Sequence, residues 1–463
     1  MLQNYQKTLQ PQSNATAVDV FSKEYVDNPF LLVTIGEKLT SRAIVEATMR
    51  AQTGKRLQRP FGSPLNLSPW HQLLLNPRQL FHLPTPSISQ ITTQTVIGPN
   101  CKKPLILDIP IMITGMSYGG SLSLPMKIAL AQGAALAGTS TNTGESAVTG
   151  EERSAAKFLI GQYNRGGWLS SNEQLQQLDA IEVQLGQGAW GGAVEDQVGH
   201  QKDEHLTEAW HLNSGENATI YPRMPGCNSP QDYIKLINNL KSEYDVPIGV
   251  KIAGTDFIEL ELAVITQTTA DFIVIDGAEG GTSSSPPTLQ DDVGLPTLFA
   301  LDRTIKWLQS RSLRHRFSVI ITGGMTTPGH FLKALALGAD AVYIGSIAVI
   351  AALQTQMANL LPNIPPSQLA FYVGKQKDIL DVPAAANHLY NFLMSCTEEM
   401  KLVIQALGKT STKGLNRDDL IAIDRDLANT IEIRYAGDIR KEQNAGFYPP
   451  SSGADDVAFP LQQ

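Results

Sequence analysis

The chain has little cysteine: three residues in 463, Cys101, Cys227 and Cys396. They lie too far apart for a CxxC metal knuckle and are too few for a disulfide framework, which suits a reducing compartment and predicts three buried free thiols. Positive charge is also scarce. With 36 Lys and Arg against 44 Asp and Glu, a net charge of −8 and a pI near 5.6, there is no broad basic field to hold a nucleic-acid backbone, and no Lys/Arg run carries interleaved aromatics. Nucleic acid is not an expected partner. The N-terminal run MLQNYQKTLQ lacks the charged start and apolar core of a signal peptide, which points to the cytoplasm. One long apolar stretch, residues 334–353, carries Asp340, Gly338 and Gly345, so it reads as a buried strand followed by a helix and not as a membrane span.

What is present is a globular texture. Apolar residues make up 42% and charged residues 17%, a balance that suits strands covered on both faces. A (β/α)8 barrel takes about 250 residues, so one barrel with extensions fits the length. Residues 1–105 read as an extension packed on the barrel, with a helical stretch from Glu37 to Ala51 and a loop-prone segment from Arg59 to Pro86. From residue 106 to about 355, short apolar runs each end in Gly, Ser, Thr or Asp and lead into a helix-like stretch. Eight such runs begin at Pro110, Gly138, Phe158, Ala180, Pro247, Asp271, Ser318 and Ala341. The third, FLIGQYNRGG, is also compatible with the end of a helix in its first half. Eight parallel strands close an α/β TIM barrel. The interval of about 186–245 is too long for a βα connection and predicts a lid-like insertion over the strand ends. Residues 356–463 read as a helical C-terminal extension and tail, carried by PAAANHLYNFLMSCTEEMKLVIQALG and frayed after Tyr448.

In such a barrel the ligand sits at the C-terminal ends of the strands. ITGG at Ile321–Gly324 and YIGS at Tyr343–Ser346 each lead into a helix, the first beginning near Thr327. Backbone N–H groups and helix N-termini there suit a phosphate, although the glycines also serve tight turns. Lys251 ends an otherwise apolar strand, with its stem pointing inward among Ile248 and Ile252. A buried ammonium needs an anion: either a ligand, or an ion pair with Asp276 or Glu182. IDGAEGGTSSSPP adds Asp276, Glu279, Gly280, Gly281 and Thr282, either a loop that closes over substrate or a long turn. GMSYGG supplies Met116, Ser117 and Tyr118, and TNTGE supplies Asn142, Thr143 and Glu145.

Read together, these segments resemble the FMN-binding synthase domain of glutamate synthase and its stand-alone relatives. The motifs in order are SPWHQLLLNPRQL, IGPNCKKPLILDIPIMITGMSYGG, ALAQGAALAGTSTNTGESAVTGEER, DAIEVQLGQGA, IGVKIAG, DFIVIDGAEGGTSSSP, ITGGMTTPGHFLKALALGADAVYIGS, SQLAFYVGK and SCTEEMKLVIQALGKTS. The resemblance implies a (β/α)8 barrel with bound FMN. It assigns flavin contacts to Met116, Ser117, Tyr118, Gln187, Lys251, Gly280, Gly281 and Thr282, and phosphate contacts to Gly323, Gly324, Gly345 and Ser346. Lys251, Glu145 and Gln187 then stand at the reaction centre, with Trp190, Asp276 and Glu279 toward the substrate.

Three departures shape the expected activity. QGAWGG puts Trp190 where these enzymes carry a lysine near the 2-oxoglutarate carboxylate, which weakens the case for a dicarboxylate; alternatively Trp190 packs under the insertion. GSIAVIAALQTQMANLLPNIPP contains no Cys, so no iron–sulfur cluster is expected. There is no amidotransferase segment, which leaves ammonia, an amine or an ammonia-supplying partner as nitrogen source and an electron-donor protein as a route to the flavin. The implied reaction is reduction of a 2-imino acid formed from a 2-oxo acid and ammonia, or its reverse on a CH–NH2 donor. The alternatives are an FMN-binding barrel that serves as a regulatory subunit, or an FMN-dependent 2-hydroxy acid oxidoreductase.

Overall fold

The buried, β-branched runs form a single parallel sheet. The structure, a computed structural model, describes residues 16–188, 190, 196–198, 203–213, 218–282, 285–357 and 364–439. In chain order the strands are β1 Ile111–Ile113, β2 Ser140–Asn142, β3 Phe158–Tyr163, β4 Ala180–Gln184, β5 Ile248–Ala253, β6 Phe272–Asp276, β7 Ser318–Thr322 and β8 Ala341–Ile344. Each strand from β2 to β8 pairs in parallel with the next, and β8 pairs with β1. The remaining β1–β2 seam has no ladder. It is held by Asp108 N donating to Gly138 O at 3.0 Å and Thr139 Oγ1 donating to Ile111 O at 2.6 Å. The result is a nearly closed (β/α)8 barrel with helices α1 Leu124–Leu136, α2 Gly150–Ala155, α3 Asn172–Leu175, α4 Pro230–Glu243, α5 Ile258–Ile265, α6 Thr297–Ser310, α7 Pro328–Leu337 and α8 Ser346–Met357. β3 is strand along its whole length because it pairs on both sides, with β2 and with β4.

Side chains alternate across each strand, and that alternation divides the core. Ile248, Val250, Ile252, Ile273 and Ile275 belong to the shell between strands and helices, whereas Met112, Ile160, Phe272, Val274, Ile320 and Tyr343 fill the barrel. Each fully buried Ile or Leu contributes about 1.5–3 kcal/mol. This corrects one detail of the sequence reading: Lys251 points inward, but Ile248 and Ile252 face outward, because residues an odd number apart lie on opposite faces. The antiparallel hairpin Thr95–Ile97 and Leu105–Leu107 adds Ile97, Leu105 and Leu107 to the inner cluster and plugs the barrel at its N-terminal end.

The expected helix from Glu37 to Ala51 is two helices, Leu31–Leu39 and Ser41–Thr53. Thr40 sits between them at φ 59°, and its Oγ1 accepts from Ala43 N at 3.2 Å, capping the second. Within the loop-prone segment, Leu73–Leu75 is a strand antiparallel to Leu420–Ala422, which in turn pairs with Arg434–Tyr435. Helix α9, Val382–Ala406, packs on α1 and α8. The interval expected as an insertion contains, among the described residues, the antiparallel pair Asp196–Val198 and Ala218–Ile220, the short helix Glu204–Ala209 and, at its end, the barrel helix α4. Leu206 and Trp210 pack there against Tyr118, Trp168 and Tyr372. The segment after Tyr448 lies outside the described residues. Cys227 and Cys396 are buried; Cys101, expected to be buried, is half-exposed because it follows the turn at Gly98 at the rim of the barrel. No helix among the described residues is long and apolar enough to cross a membrane, and residues 334–353 are the end of α7, strand β8 and the start of α8.

Candidate active site

At the C-terminal end of the barrel the inward positions change from apolar to polar. Gln162 on β3, Glu182 on β4, Lys251 on β5, Asp276 on β6 and Tyr343 on β8 are all buried. Gln162 Nε2 donates to Glu182 Oε1 at 2.6 Å, Tyr343 OH donates to Glu182 Oε2 at 3.0 Å, and Asn142 Nδ2 donates to Tyr343 OH at 3.4 Å. Lys251 Nζ lies 3.1 Å from Asp276 Oδ2. Burial alone would lower the Lys251 pKa, but Asp276, Glu182 and Glu145 outweigh it and hold the ammonium above its ordinary value. Burial pushes the carboxyls of Glu182 and Asp276 up, only partly offset by Lys251. Burial and the neighbouring Glu182 push the Tyr343 phenol well up, so it stays a donor. One cation thus faces two carboxyls in a low-dielectric pocket, an arrangement able to keep a proton at Asp276 or Glu182. Asp276 lines the cavity, and its Oδ1 is buried without a hydrogen-bond partner of ordinary geometry.

The cavity has a volume of about 450 Å³ and runs from this polar layer to the ends of β7 and β8. Gly323 and Gly324 adopt φ of 109° and 67°, which a side chain would resist, and a Cβ on Gly324 would come within 2.8 Å of Glu279 Cβ. They therefore present bare backbone to the cavity beside the N-terminal ends of α7 and α8. Thr327 caps α7, accepting at Oγ1 from His330 N at 3.2 Å.

Twelve of the residues singled out in the sequence line this one cavity: Met116, Gln187, Lys251, Asp276, Glu279, Gly280, Gly281, Thr282, Gly323, Gly324, Gly345 and Ser346. Glu279 has a second task, since its Oε2 accepts from Thr297 N at 2.8 Å and from Thr297 Oγ1 at 2.6 Å at the start of α6. The other four residues that the resemblance assigns to the site, Ser117, Tyr118, Glu145 and Trp190, lie outside the lining. The Ser117 carbonyl accepts from Ser121 N and Leu122 N in the turn after β1. Tyr118 shares a hydrogen bond of 3.0 Å with His205 Nδ1, whose Nε2 lies 2.9 Å from Glu151 Oε1. Glu145 pairs with buried Arg165 at 3.5 Å, and the Arg165 guanidinium stands 5.8 Å from the Trp190 ring centroid. Trp190 is thus buried against a cation, outside the cavity lining.

Sequence reasoning missed Arg165, Gln162 and the role of Tyr343. For Gln162 and Tyr343 the signal was polarity at inward positions, legible once β3 and β8 are read with period two, whereas Arg165 lies in the turn after β3, where no such period holds. It also missed Lys127 on α1, whose Nζ donates to Asn142 O at 2.6 Å and pairs with Glu152 Oε1 at 2.8 Å. That buried pair holds the backbone leading to Glu145. His71, His330, Phe61 and Phe371 also line the cavity, brought there by segments outside the strand ends. Burial lowers the His330 pKa and Lys333 adds to the effect, so the imidazole is neutral near pH 7.

The family model for the conserved region in glutamate synthase matches residues 76–410. The chain is similar to a glutamate synthase large subunit-like protein of Rhizobium meliloti (strain 1021), 32% identical over 365 residues that cover 74% of this chain and 82% of that protein. It is also similar to an archaeal-type glutamate synthase (NADPH) of Thermotoga neapolitana, 35% identical over 263 residues, 56% of this chain and 51% of that protein; the chain thus spans about half the length of this relative. Among solved structures, the recombinant flavin-binding domain of baker's yeast flavocytochrome b2 matches with a TM-score of 0.50 at 16% identity, covering 80% of each chain, a likeness of fold alone.

Proposed function

The chain belongs to the glutamate synthase family, and from that premise we propose that it is an FMN-dependent oxidoreductase that reduces a 2-imino acid formed from a 2-oxo acid and ammonia, or runs the reverse oxidation of a CH–NH2 donor. The observation that carries this reading is the meeting, in one cavity, of a buried ammonium at Lys251 with the two glycine-rich strand ends of β7 and β8. The residues present fit FMN. Gly323, Gly324, Gly345 and Ser346 would hold its phosphate, and Met116, Gln187, Lys251 and the Gly280–Thr282 segment its ring. When bound, the flavin supplies hydride transfer to and from carbon.

The chain's own residues account for the rest. Lys251, kept charged by Asp276 and Glu182, stabilises negative charge that develops at the cavity wall. The Asp276 carboxyl, raised by burial and part of the cavity lining, is the group suited to hold or move a proton toward a nitrogen. Glu145 stays paired with Arg165 and adds a smaller share to the negative charge that keeps Lys251 protonated. The nitrogen source and electron donor are, in this reading, free ammonia or a partner and an electron-donor protein.

The purified protein is expected to be yellow, with about one FMN per chain and no iron, because the glycine-rich ends of β7 and β8 face one cavity and can hold one phosphate, and the segment after β8 carries no cysteines for a cluster. Stoichiometric iron, or FAD in place of FMN, would sink the cofactor assignment. A flavin that is reduced anaerobically but reoxidised by no 2-oxo acid with ammonia would favour the regulatory alternative.

A further inference from the structure

The family match begins at residue 76, yet one wall of the cavity is built from residues before it: Phe61, Ser63, Pro64, Leu65 and Asn66. We propose that residues 59–66 are a strap that positions the flavin-contact segment Gly280–Thr282, with Arg59 and Asp291 as its positioning residues. The proposal rests on the FMN reading above and extends it to a part of the chain that the family match does not cover.

Two independent observations carry it. The first is the anchorage. Arg59 meets Asp291 with both terminal nitrogens, Nη1 donating to Oδ2 at 3.0 Å and Nη2 to Oδ1 at 2.5 Å, while Nε donates to Gln290 Oε1 at 3.2 Å. The fork geometry of a bidentate guanidinium fixes direction as well as distance. Ser63 Oγ donates to the same Asp291 Oδ1 at 2.6 Å. Fully buried Gln290 stitches the two segments, its Nε2 donating to Arg59 O at 2.6 Å and to Ser285 O at 2.9 Å, and Arg59 N donates to Ser285 O at 3.1 Å. All of these bonds except Gln290 Nε2 to Ser285 O join the strap to the stretch of chain after the Gly280–Thr282 segment.

The second observation is the strained backbone that the anchorage holds over the cavity. Phe61 adopts φ 68°, an outlier for a bulky residue, and Gly62 follows at φ 87°. A Cβ on Gly62 would lie 2.9 Å from Gly281 Cα, so the two segments meet backbone to backbone. The Phe61 ring packs on Phe371 with centroids 5.3 Å apart, and its carbonyl accepts from Ser346 Oγ at 3.4 Å. One strained residue therefore touches both the segment assigned to the ring and the serine assigned to the phosphate. Such a conformation persists where its surroundings over-determine it, and here the over-determination comes from Arg59, Gln290 and Asp291.

The test is fluorescence titration of the apoprotein with FMN, parent against Arg59→Met, Asp291→Asn and the double variant. Each single variant is expected to raise Kd for FMN roughly tenfold, the loss of one charge-assisted contact in a partly exposed site, and the double variant no more than either single one. The apoprotein's thermal midpoint should stay near that of the parent, while proteolysis between residues 276 and 291 should quicken. Ser63→Ala, which removes the bond to Asp291 and the local one from Leu65 N but leaves the Arg59–Asp291 pair in place, is expected to raise Kd by a few-fold and keeps the test open if Arg59→Met does not fold. Variants that hold FMN as tightly as a parent that binds it overturn the strap and leave the functional reading standing. A parent that binds no FMN overturns the functional reading, and the strap with it.

Discussion

Lys251 stands 3.1 Å from Asp276 in a layer that also holds Glu182, and the balance of that cluster makes stability depend on pH. The folded-state pKa values of the two carboxyls are raised by burial, so the folded chain binds more protons than the unfolded chain above the ordinary carboxylate range. Stability therefore falls as pH rises from about 4 through their folded values. In Lys251→Met the carboxyls lose their cation and their folded pKa values rise further, so this fall continues to higher pH. Breaking one partner of a buried pair costs about 3–5 kcal/mol when the other stays charged. The expected outcome is a stability deficit near that size at pH 8 that shrinks at pH 5, read by urea unfolding of the apoproteins. Flavin reduction should slow in the same variant, since developing negative charge loses its neighbour. A deficit that is the same at both pH values would place the charge balance elsewhere.

At the scale of elements, the loop after β6 does two things with one residue. Glu279 lines the cavity, yet its Oε2 accepts two hydrogen bonds from Thr297 at the start of α6, whose N-cap, Pro296, has no side-chain cap of its own. A carboxylate at a helix N-terminus satisfies an orphan N–H and meets the positive end of the helix. Glu279→Ala should therefore destabilise the apoprotein by about 1–2 kcal/mol, measurable by chemical denaturation without any cofactor. An unchanged midpoint would leave Glu279 a purely ligand-facing residue. The same logic explains the glycine at position 324 after β7: a Cβ there would strike Glu279, so the turn after β7 and the α6 cap are built as one unit.

At the scale of the whole molecule, the segments on either side of the barrel are tied to each other. Leu73–Leu75 pairs with Leu420–Ala422, and beside that sheet fully buried Asp419 receives Arg78 Nη2 at 2.9 Å and Lys409 Nζ at 2.7 Å. Two distant stretches of chain, one at Arg78 and one spanning Lys409 to Asp419, meet at one carboxylate. Asp419→Asn keeps the shape but leaves two half-buried cations without their anion, and a loss on the order of 3 kcal/mol is expected in urea unfolding. A loss well under 1 kcal/mol would show that solvent compensates both cations.

The barrel itself was legible because its signal is local. Each strand is a short apolar run closed by a turn residue, so β1 to β8 follow from periodicity and punctuation alone, and Gly323, Gly324, Gly345 and Ser346 fall at strand ends by the same reading. Lys251 stood out because an ammonium in an apolar strand demands a partner. Which partner was not legible: Asp276 and Glu182 were both open, and the structure sets Asp276 Oδ2 at 3.1 Å while Glu182 is held by Gln162 and Tyr343. The positions of Trp190, Glu145 and Tyr118 outside the cavity lining, and of Phe61 and Asn66 within it, were likewise beyond the sequence. Periodicity reports which face of its own element a side chain takes, whereas these contacts depend on how separate segments cross, and only the closed tertiary structure decides that.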